Sequence, residues 1–334
     1  MKILIFGLGS IGSYLAFLVK KGIENLENIK LDLLTYNKRE SNLFFLDIFN
    51  EQKLLNKIKI QLNNNLENEI FDIVIIACKS YDLIKYIDFL LRNNIKFNNL
   101  VLTQNGVEHE EEIINYLRNK WNIEFLNIFL LTILAPLKLK ENSLYIYNYK
   151  RNELVLSSYI NKFNNEILKL KEILDFNVNI HLYYGNYNDV KYSKLLLNAI
   201  MNIVPAYYKK DIKETYKDFQ AIIDEKNLIS EISWFIENSN LKFYKFKNYN
   251  TKLIANLYKI LPTKIIYYIY NQELIIKKIR SNRIPSFIED YVINPKKETE
   301  IEYYLGNIIK KAKKLNLDLN NLKTISKIYD KLKG

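Results

Sequence analysis

Met1-Lys2-Ile3-Leu4-Ile5-Phe6-Gly7-Leu8-Gly9-Ser10-Ile11-Gly12 opens the chain, and its reading decides the fold. Ile3 to Phe6 form a short apolar run without polar alternation, the pattern of a parallel strand buried on both faces. Ser13 to Lys21 then carry apolar residues at helical spacing. Between strand and helix stands G-x-G-x-x-G, and each glycine has a physical task there. Gly7 permits the tight turn, Gly9 lets the backbone approach a pyrophosphate, and Gly12 lets the helix pack closely on the sheet. The helix start adds free N–H groups and a positive dipole end. Gly7, Leu8, Gly9, Ser10, Ile11 and Gly12 are therefore the expected dinucleotide cradle of an α/β Rossmann domain built on a mostly parallel sheet.

The next strand candidate, Ile29 to Thr35, bears on which dinucleotide is bound. An NAD-specific site ends this strand with Asp or Glu for the ribose hydroxyls. Here the continuation is Tyr36-Asn37-Lys38-Arg39, and Asp32 lies inside the strand, too early for that role. Lys38 and Arg39 can neutralise a 2′-phosphate through charge-assisted hydrogen bonds, so NADP is the expected cofactor.

At 334 residues the chain is long enough for two domains and two cores. The formal charge of +12 comes from 49 basic and 37 acidic residues interspersed throughout. With no basic block, neither nucleic acid nor a membrane surface is expected as a partner. A positive field still attracts an anionic cofactor and a carboxylate substrate. High Lys, Asn, Ile and Tyr with only 8 Gly and 5 Pro reads as compositional drift of surface and core residues. Cys78 is the sole cysteine and His109 and His181 the only histidines, so neither a disulfide framework nor a metal site is expected. The most apolar run, Phe125 to Leu137, holds Asn127 and Pro136 and is too short to span a bilayer. The strand at residue 1 leaves no place for a cleavable signal, so a cytoplasmic protein is expected.

Further along, Phe71 to Ala77 and Leu100 to Thr103 are strand-like, each followed by a polar turn and a helical pattern. Ligands on such sheets bind beyond the carboxyl ends of strands, which puts Cys78-Lys79-Ser80 and Gln104-Asn105-Gly106 on the same rim as Gly7 to Gly12. Phe129 to Ala135 and Leu144 to Tyr147 are expected to add strands to the edge, followed by a helix over Tyr159 to Leu174 and a strand over Val178 to Tyr183. After about residue 186 the spacing becomes helical, over Val190 to Ala206, Tyr216 to Glu237, Leu253 to Lys259 and Glu298 to Leu315. Pro262, Pro285 and Pro295 separate these helices, and Ile275 to Pro285 reads as a basic loop. The expected division is a Rossmann domain over 1–185 and an all-α domain over 186–334.

Lys194, Asn198 and Asn202 are four residues apart, so one helix face presents an ammonium and two amides to a single ligand. Ketone reduction needs a hydride at carbon and a proton at the developing alkoxide. An ammonium suits the second task, since it stabilises negative oxygen and releases its proton when partly desolvated.

Taken in order, Gly7-x-Gly9-x-x-Gly12, Ala77-Cys78-Lys79-Ser80, Gln104-Asn105-Gly106, Lys194-x-x-x-Asn198-x-x-x-Asn202, Ser286-Phe-Ile-Glu-Asp290 and Thr299-Glu300-Ile301 resemble the ketopantoate reductase (2-dehydropantoate 2-reductase) family over nearly the whole chain. The resemblance implies NADPH-linked reduction of a 2-oxo acid, with Lys194 as general acid and Glu300 orienting the reacting oxygen. It implies that Asn198 and Asn202 hold hydroxyl or oxo groups of the substrate and that Ser286 binds its carboxylate. Lys79 and Asn105 are implied beside the nicotinamide, and 186–334 becomes a substrate and dimerisation domain, with a homodimer as the candidate assembly. Several positions depart from the family pattern. Tyr192 stands where a Trp is usual, Glu108 where a Gly is common, and Arg283 where many members place a substrate-binding Asn, with Asn282 one step away. The glycines often found after the sixth strand are absent from Leu137 to Val155. These changes spare the proton donor and leave open a same-fold reductase of another 2-oxo acid, an opine or a 3-hydroxy acid. A non-catalytic NADP-binding sensor is the alternative from a different class.

Overall fold

Ile3, Leu4, Ile5 and Phe6 are wholly buried in β1 (Lys2–Phe6), which pairs in parallel with β2 (Lys30–Leu34) on one side and β5 (Ile70–Ile76) on the other. The computed structural model describes residues 1–36, 41–63, 65–123, 127–175, 178–272, 286–288, 291 and 299–333. Contacts divide the chain into one unit of Met1–Gln104 with His109–Tyr187 and a second of Asn105–Glu108 with Asn188–Gly334.

In the first unit, alternate β1 residues feed opposite faces, as strand geometry dictates. Ile3 and Ile5 pack with Leu15 and Val19 of α1 (Ser10–Gly22) and with Ile167 and Leu170 of α4 (Asn165–Asp175). Leu4 and Phe6 join Leu83, Ile87 and Leu90 of α2 (Leu83–Arg92) and Ile113 and Leu117 of α3 (His109–Trp121). Each such side chain, fully buried, contributes roughly 2 kcal/mol, so both faces of the strand hold it in place. The seven-stranded sheet runs β11-β10-β7-β6-β5-β1-β2, with β6 (Lys96–Leu102), β7 (Asn127–Leu134), β10 (Glu153–Ser158) and β11 (Asn179–Tyr183) completing it. Only the β7–β10 pairing is antiparallel. The chain leaves β1 for β2 on one side and returns to β5 on the other. This order reversal opens a crevice at the carboxyl ends of β1 and β5.

Several boundaries differ from those expected. Leu144 to Tyr147 does not extend the central sheet: β9 (Ser143–Ile146) belongs to a second sheet ordered β4-β3-β9-β8, with β8 at Leu137–Lys140. The rest of that sheet is a hairpin of β3 (Leu43–Asn50) and β4 (Lys53–Gln61). Its turn places Glu51 at φ 56 without a glycine, and lysines interrupt the apolar alternation of β4, so the usual hairpin signals are missing. The helix expected from Tyr159 begins only at Asn165, where the Asn164 side chain accepts from the Ile167 N–H at 3.1 Å. The preceding stretch is β10 and its exit.

The second unit is helical. The helix expected over Val190 to Ala206 is α5 (Tyr187–Asn198), a widened π turn over Ala199–Ile203, and α6 (Val204–Tyr208). Pro205 lacks an N–H for the ladder, which accounts for the widening just before it. Asp218 divides the next segment into α7 (Ile212–Lys217) and α8 (Phe219–Asn238), its side chain accepting from the Gln220 and Ala221 N–H groups. Leu228, Ile229, Ile232, Phe235 and Ile236 of α8 form the middle of the core. Around them lie α9 (Thr251–Ile260), α10 (Thr263–Tyr270), a second π turn at Glu302–Gly306, α11 (Asn307–Lys314) and α12 (Lys323–Lys333). The basic stretch Ile275 to Pro285 lies outside the described residues.

Candidate active site

In the first unit the glycines carry the geometry. Gly7 has φ +104, and a Cβ there would stand 2.5 Å from the Ala77 carbonyl oxygen, so the ends of β1 and β5 close only around glycine. At Gly12 a Cβ would fall 1.8 Å from the Gly7 carbonyl oxygen, so α1 packs on this turn only without one. Nothing lies within 4 Å of the Cβ position at Gly9, the exposed N-cap of α1, and no side chain caps that helix. Leu8 is buried beneath the turn, Ser10 and Ile11 are half-buried, and the Ser10 hydroxyl accepts from the Leu139 N–H at 3.1 Å. Open space before uncapped N–H groups fits a pyrophosphate.

Neighbouring strand ends complete this rim. Lys79, half-buried, follows β5 and leads into the short turn Ser80–Asp82. The Gln104 amide donates to the Ile76 carbonyl at 3.0 Å and the Thr103 hydroxyl to the same oxygen at 2.9 Å, tying the ends of β5 and β6. Asp32 is buried, receives the Asn63 amide at 3.1 Å and pairs with Lys30 at 3.3 Å, so it is committed within its strand. Tyr36, half exposed after β2, stacks on Tyr86 of α2 with ring centroids 5.3 Å apart. Lys38 and Arg39 lie outside the described residues.

In the second unit the Lys194 ammonium donates to the Asn105 side-chain oxygen across 89 residues of sequence. Part of the lysine is accessible to solvent, yet the protein packed around its ammonium lowers the pKa to about 7. Lys191, one turn earlier on α5 and itself buried, lowers it further, while the Glu300 carboxylate, also buried, raises it. The asparagines meet each other: the Asn202 amide donates to the Asn198 oxygen at 3.2 Å, across the junction of α5 with the π turn. The regular four-residue stripe is thus replaced by a widened turn that still keeps these two side chains adjacent. Ser286 begins the one-turn helix Ser286–Ile288, and its side chain lies outside the described residues, as do Asn282 and Arg283.

Sequence reasoning missed Lys191, although a second lysine three residues before Lys194 marks the same helix face. It also missed how residues 105–108 are anchored. The Val107 N–H donates to the Tyr303 carbonyl at 2.9 Å and the Asn307 amide to the Val107 carbonyl at 2.8 Å. At Gly106, φ +92, a Cβ would lie 2.6 Å from the Tyr303 carbonyl oxygen. Among the described residues, no cluster of three or more His, Cys, Asp or Glu could hold a metal ion, and no helix is long and apolar enough to cross a membrane.

A doubly wound sheet with a glycine-rich turn at its switch point, joined in one chain to a helical unit carrying a desolvated amine, defines a protein of the dinucleotide-dependent oxidoreductase class. Residues 3–130 match the family ketopantoate reductase PanE/ApbA and residues 186–333 match ketopantoate reductase PanE/ApbA, C terminal. The chain belongs to the ketopantoate reductase family. Its fold is shared with a dimeric ketopantoate reductase from Staphylococcus aureus at a TM-score of 0.68 and 17% identity, over 100% of this chain and 99% of that one. A D-mandelate dehydrogenase with NADH and anilino(oxo)acetate gives a TM-score of 0.73 at 17% identity, over 100% of this chain and 98% of that one. The 2-dehydropantoate 2-reductase from Geobacter metallireducens gives 0.71 at 12% identity, over 99% of both chains. Among curated proteins, the DNA-directed RNA polymerase subunit beta of Neospora caninum is 26% identical over 292 residues, 79% of this chain. The chain spans about a quarter of that relative's length, 26%.

Proposed function

We propose that the protein is an NADPH-dependent reductase converting 2-dehydropantoate to pantoate, a step toward pantothenate and coenzyme A. The observation that carries this is the Lys194 ammonium, with its pKa lowered to about 7, bonded to Asn105 and under the field of Glu300. Such a group is about half protonated near neutral pH and gives its proton up readily. Gly7 through Gly12, with Lys38, Arg39, Lys79 and Asn105, would hold the cofactor, which supplies the hydride when bound. Lys194 protonates the developing alkoxide and Glu300 orients the reacting oxygen. Asn198 and Asn202 hold substrate oxygens, and Ser286 receives the carboxylate. In these terms 1–185 is the NADP-binding domain and 186–334 the substrate and dimerisation domain of a cytoplasmic enzyme.

A homodimer is the assembly we favour. Leu253, Leu257 and Ile260 of α9 with Ile265 and Tyr268 of α10 are exposed apolar side chains, more than solvent favours on two neighbouring helices. A mass of two chains by light scattering is the expected result.

The fold neighbour D-mandelate dehydrogenase and the departure at Arg283 favour, as second reading, a reductase of a different 2-oxo acid. Following NADPH oxidation by the purified protein against a panel of 2-oxo acids decides between them. Ketopantoate should give the highest kcat/KM. Turnover only with another acid supports the second reading, and cofactor binding without turnover on any of them supports a sensor.

A further inference from the structure

Two departures from the family pattern, Tyr192 and Glu108, touch each other. The Tyr192 hydroxyl donates to a Glu108 carboxylate oxygen at 3.0 Å, and Lys311 of α11 pairs with both carboxylate oxygens at 3.0 and 3.2 Å. Glu108 also holds φ 68, the left-handed region that strains a residue bearing a side chain and that glycine adopts freely. A glycine would therefore serve the turn better, and what Glu108 adds is its carboxylate, which is nearly buried. That carboxylate joins the last residue of the 105–108 segment to α5, two residues before Lys194, and to α11. Tyr192 is itself fixed, wholly buried and stacked on Phe235 of α8 with centroids 5.2 Å apart.

We propose that Glu108 is a positioning residue: it clamps the 105–108 segment to α5 and α11 so that the Asn105 side-chain oxygen stays on the Lys194 ammonium. The proposal rests on the reductase assignment for its catalytic consequence, but the geometry it describes exists without turnover. Val107 is tied through its backbone bonds and its buried side chain, which fix the path of the segment. The carboxylate fixes its far end, where the chain turns into α3, and so sets the direction from which Asn105 approaches.

Glu108→Gly and Glu108→Gln remove the same charge, so a difference between them reports position and not electrostatics. Glu108→Gly loses the clamp while easing the backbone. Glu108→Gln keeps an oxygen that accepts from Tyr192 and Lys311. Two readouts are taken: steady-state reduction of the best 2-oxo acid, and the pH dependence of Lys194 acetylation by acetic anhydride, read by peptide mass spectrometry. The groups acting on Lys194 are Lys191 on its own helix, Glu300 and Asn105. Losing the Asn105 acceptor withdraws stabilisation from the charged form, so the labelling midpoint falls.

The expected result for Glu108→Gly is a roughly tenfold lower kcat with KM within about twofold, and a labelling midpoint below that of wild type. Glu108→Gln should keep kcat within about threefold, with its midpoint closer to wild type. Tyr192→Phe, which removes one contact and keeps the stacked ring, should lower kcat by less than Glu108→Gly and serves if that variant folds poorly. A Glu108→Gly midpoint equal to wild type overturns the proposal whatever the activity does, as does a kcat within twofold of wild type or a Gln variant as impaired as the Gly variant. Should wild type reduce no 2-oxo acid, the reductase assignment fails, and the labelling comparison still decides whether Glu108 positions Asn105.

Discussion

Replacing Lys191 by methionine tests how the second unit tunes its amine. The Lys194 pKa falls from 10.5 to about 7 through burial first and the Lys191 charge second, against the raising influence of Glu300. At 1.36 kcal/mol per pH unit, the charged form is disfavoured by roughly 5 kcal/mol, an upper bound because part of the side chain meets solvent. In the proposed reaction the protonated form is the one that donates. The kcat/KM for the 2-oxo acid should therefore be level below about pH 7 and fall by about tenfold per pH unit above it. The reverse oxidation, which needs the free amine, should rise to the same pH and then level off. Lys191 sits one helical turn away, and at an effective dielectric near 20 its removal should move the midpoint up by roughly half to one pH unit. Glu300→Gln should move it down, since the influence removed is the one that raises the pKa. Initial rates of NADPH oxidation across pH 5 to about 10 in wild type and both variants measure this directly. A wild-type profile level through pH 9 or so, or a Lys191→Met midpoint lower than wild type, would refute the reasoning.

Lys194→Ala should lower kcat by roughly 10² to 10⁴ with NADPH affinity within a few-fold, and near-normal turnover would show that the proton comes from elsewhere. NADPH should bind at least about tenfold more tightly than NADH, on the order of 1.4 kcal/mol, and changing Lys38 and Arg39 to Ala should erase most of the difference; equal dissociation constants by fluorescence titration would remove the NADP assignment. Ser286→Ala should mainly raise KM by loss of a ground-state carboxylate bond, whereas Glu300→Ala should lower kcat/KM more strongly; a kcat effect at Ser286 without a KM effect would contradict its place on the carboxylate.

What was legible in the sequence follows from what each signal depends on. β1, its glycines and α1 are local: the apolar run, the turn and the helical spacing lie within Met1 to Lys21, and their geometry depends on backbone sterics that side-chain drift does not alter. The helical character of the second unit was legible for the same reason. The β3–β4 hairpin was not, because its turn at Glu51 takes the left-handed conformation without the glycine that would announce it. The π turn at Ala199–Ile203 was not either, since a four-residue spacing looks the same until Pro205 is allowed its effect on the preceding turn.

The site divides along similar lines. Lys194 was legible because its asparagines stand beside it in sequence, but the groups that set its chemistry come from far away: Asn105 from 89 residues before it and Glu300 from the other end of the unit. Tyr192 and Glu108 show what this distance hides. Read singly, each is a departure that weakens a family match. In the folded unit the phenol donates to the carboxylate, so each change gives the other its partner. The Glu108 carboxylate also takes Lys311, and together these bonds hold at φ 68 a residue that sterics alone would replace by glycine. Such paired contacts become visible only when segments distant in sequence are brought together.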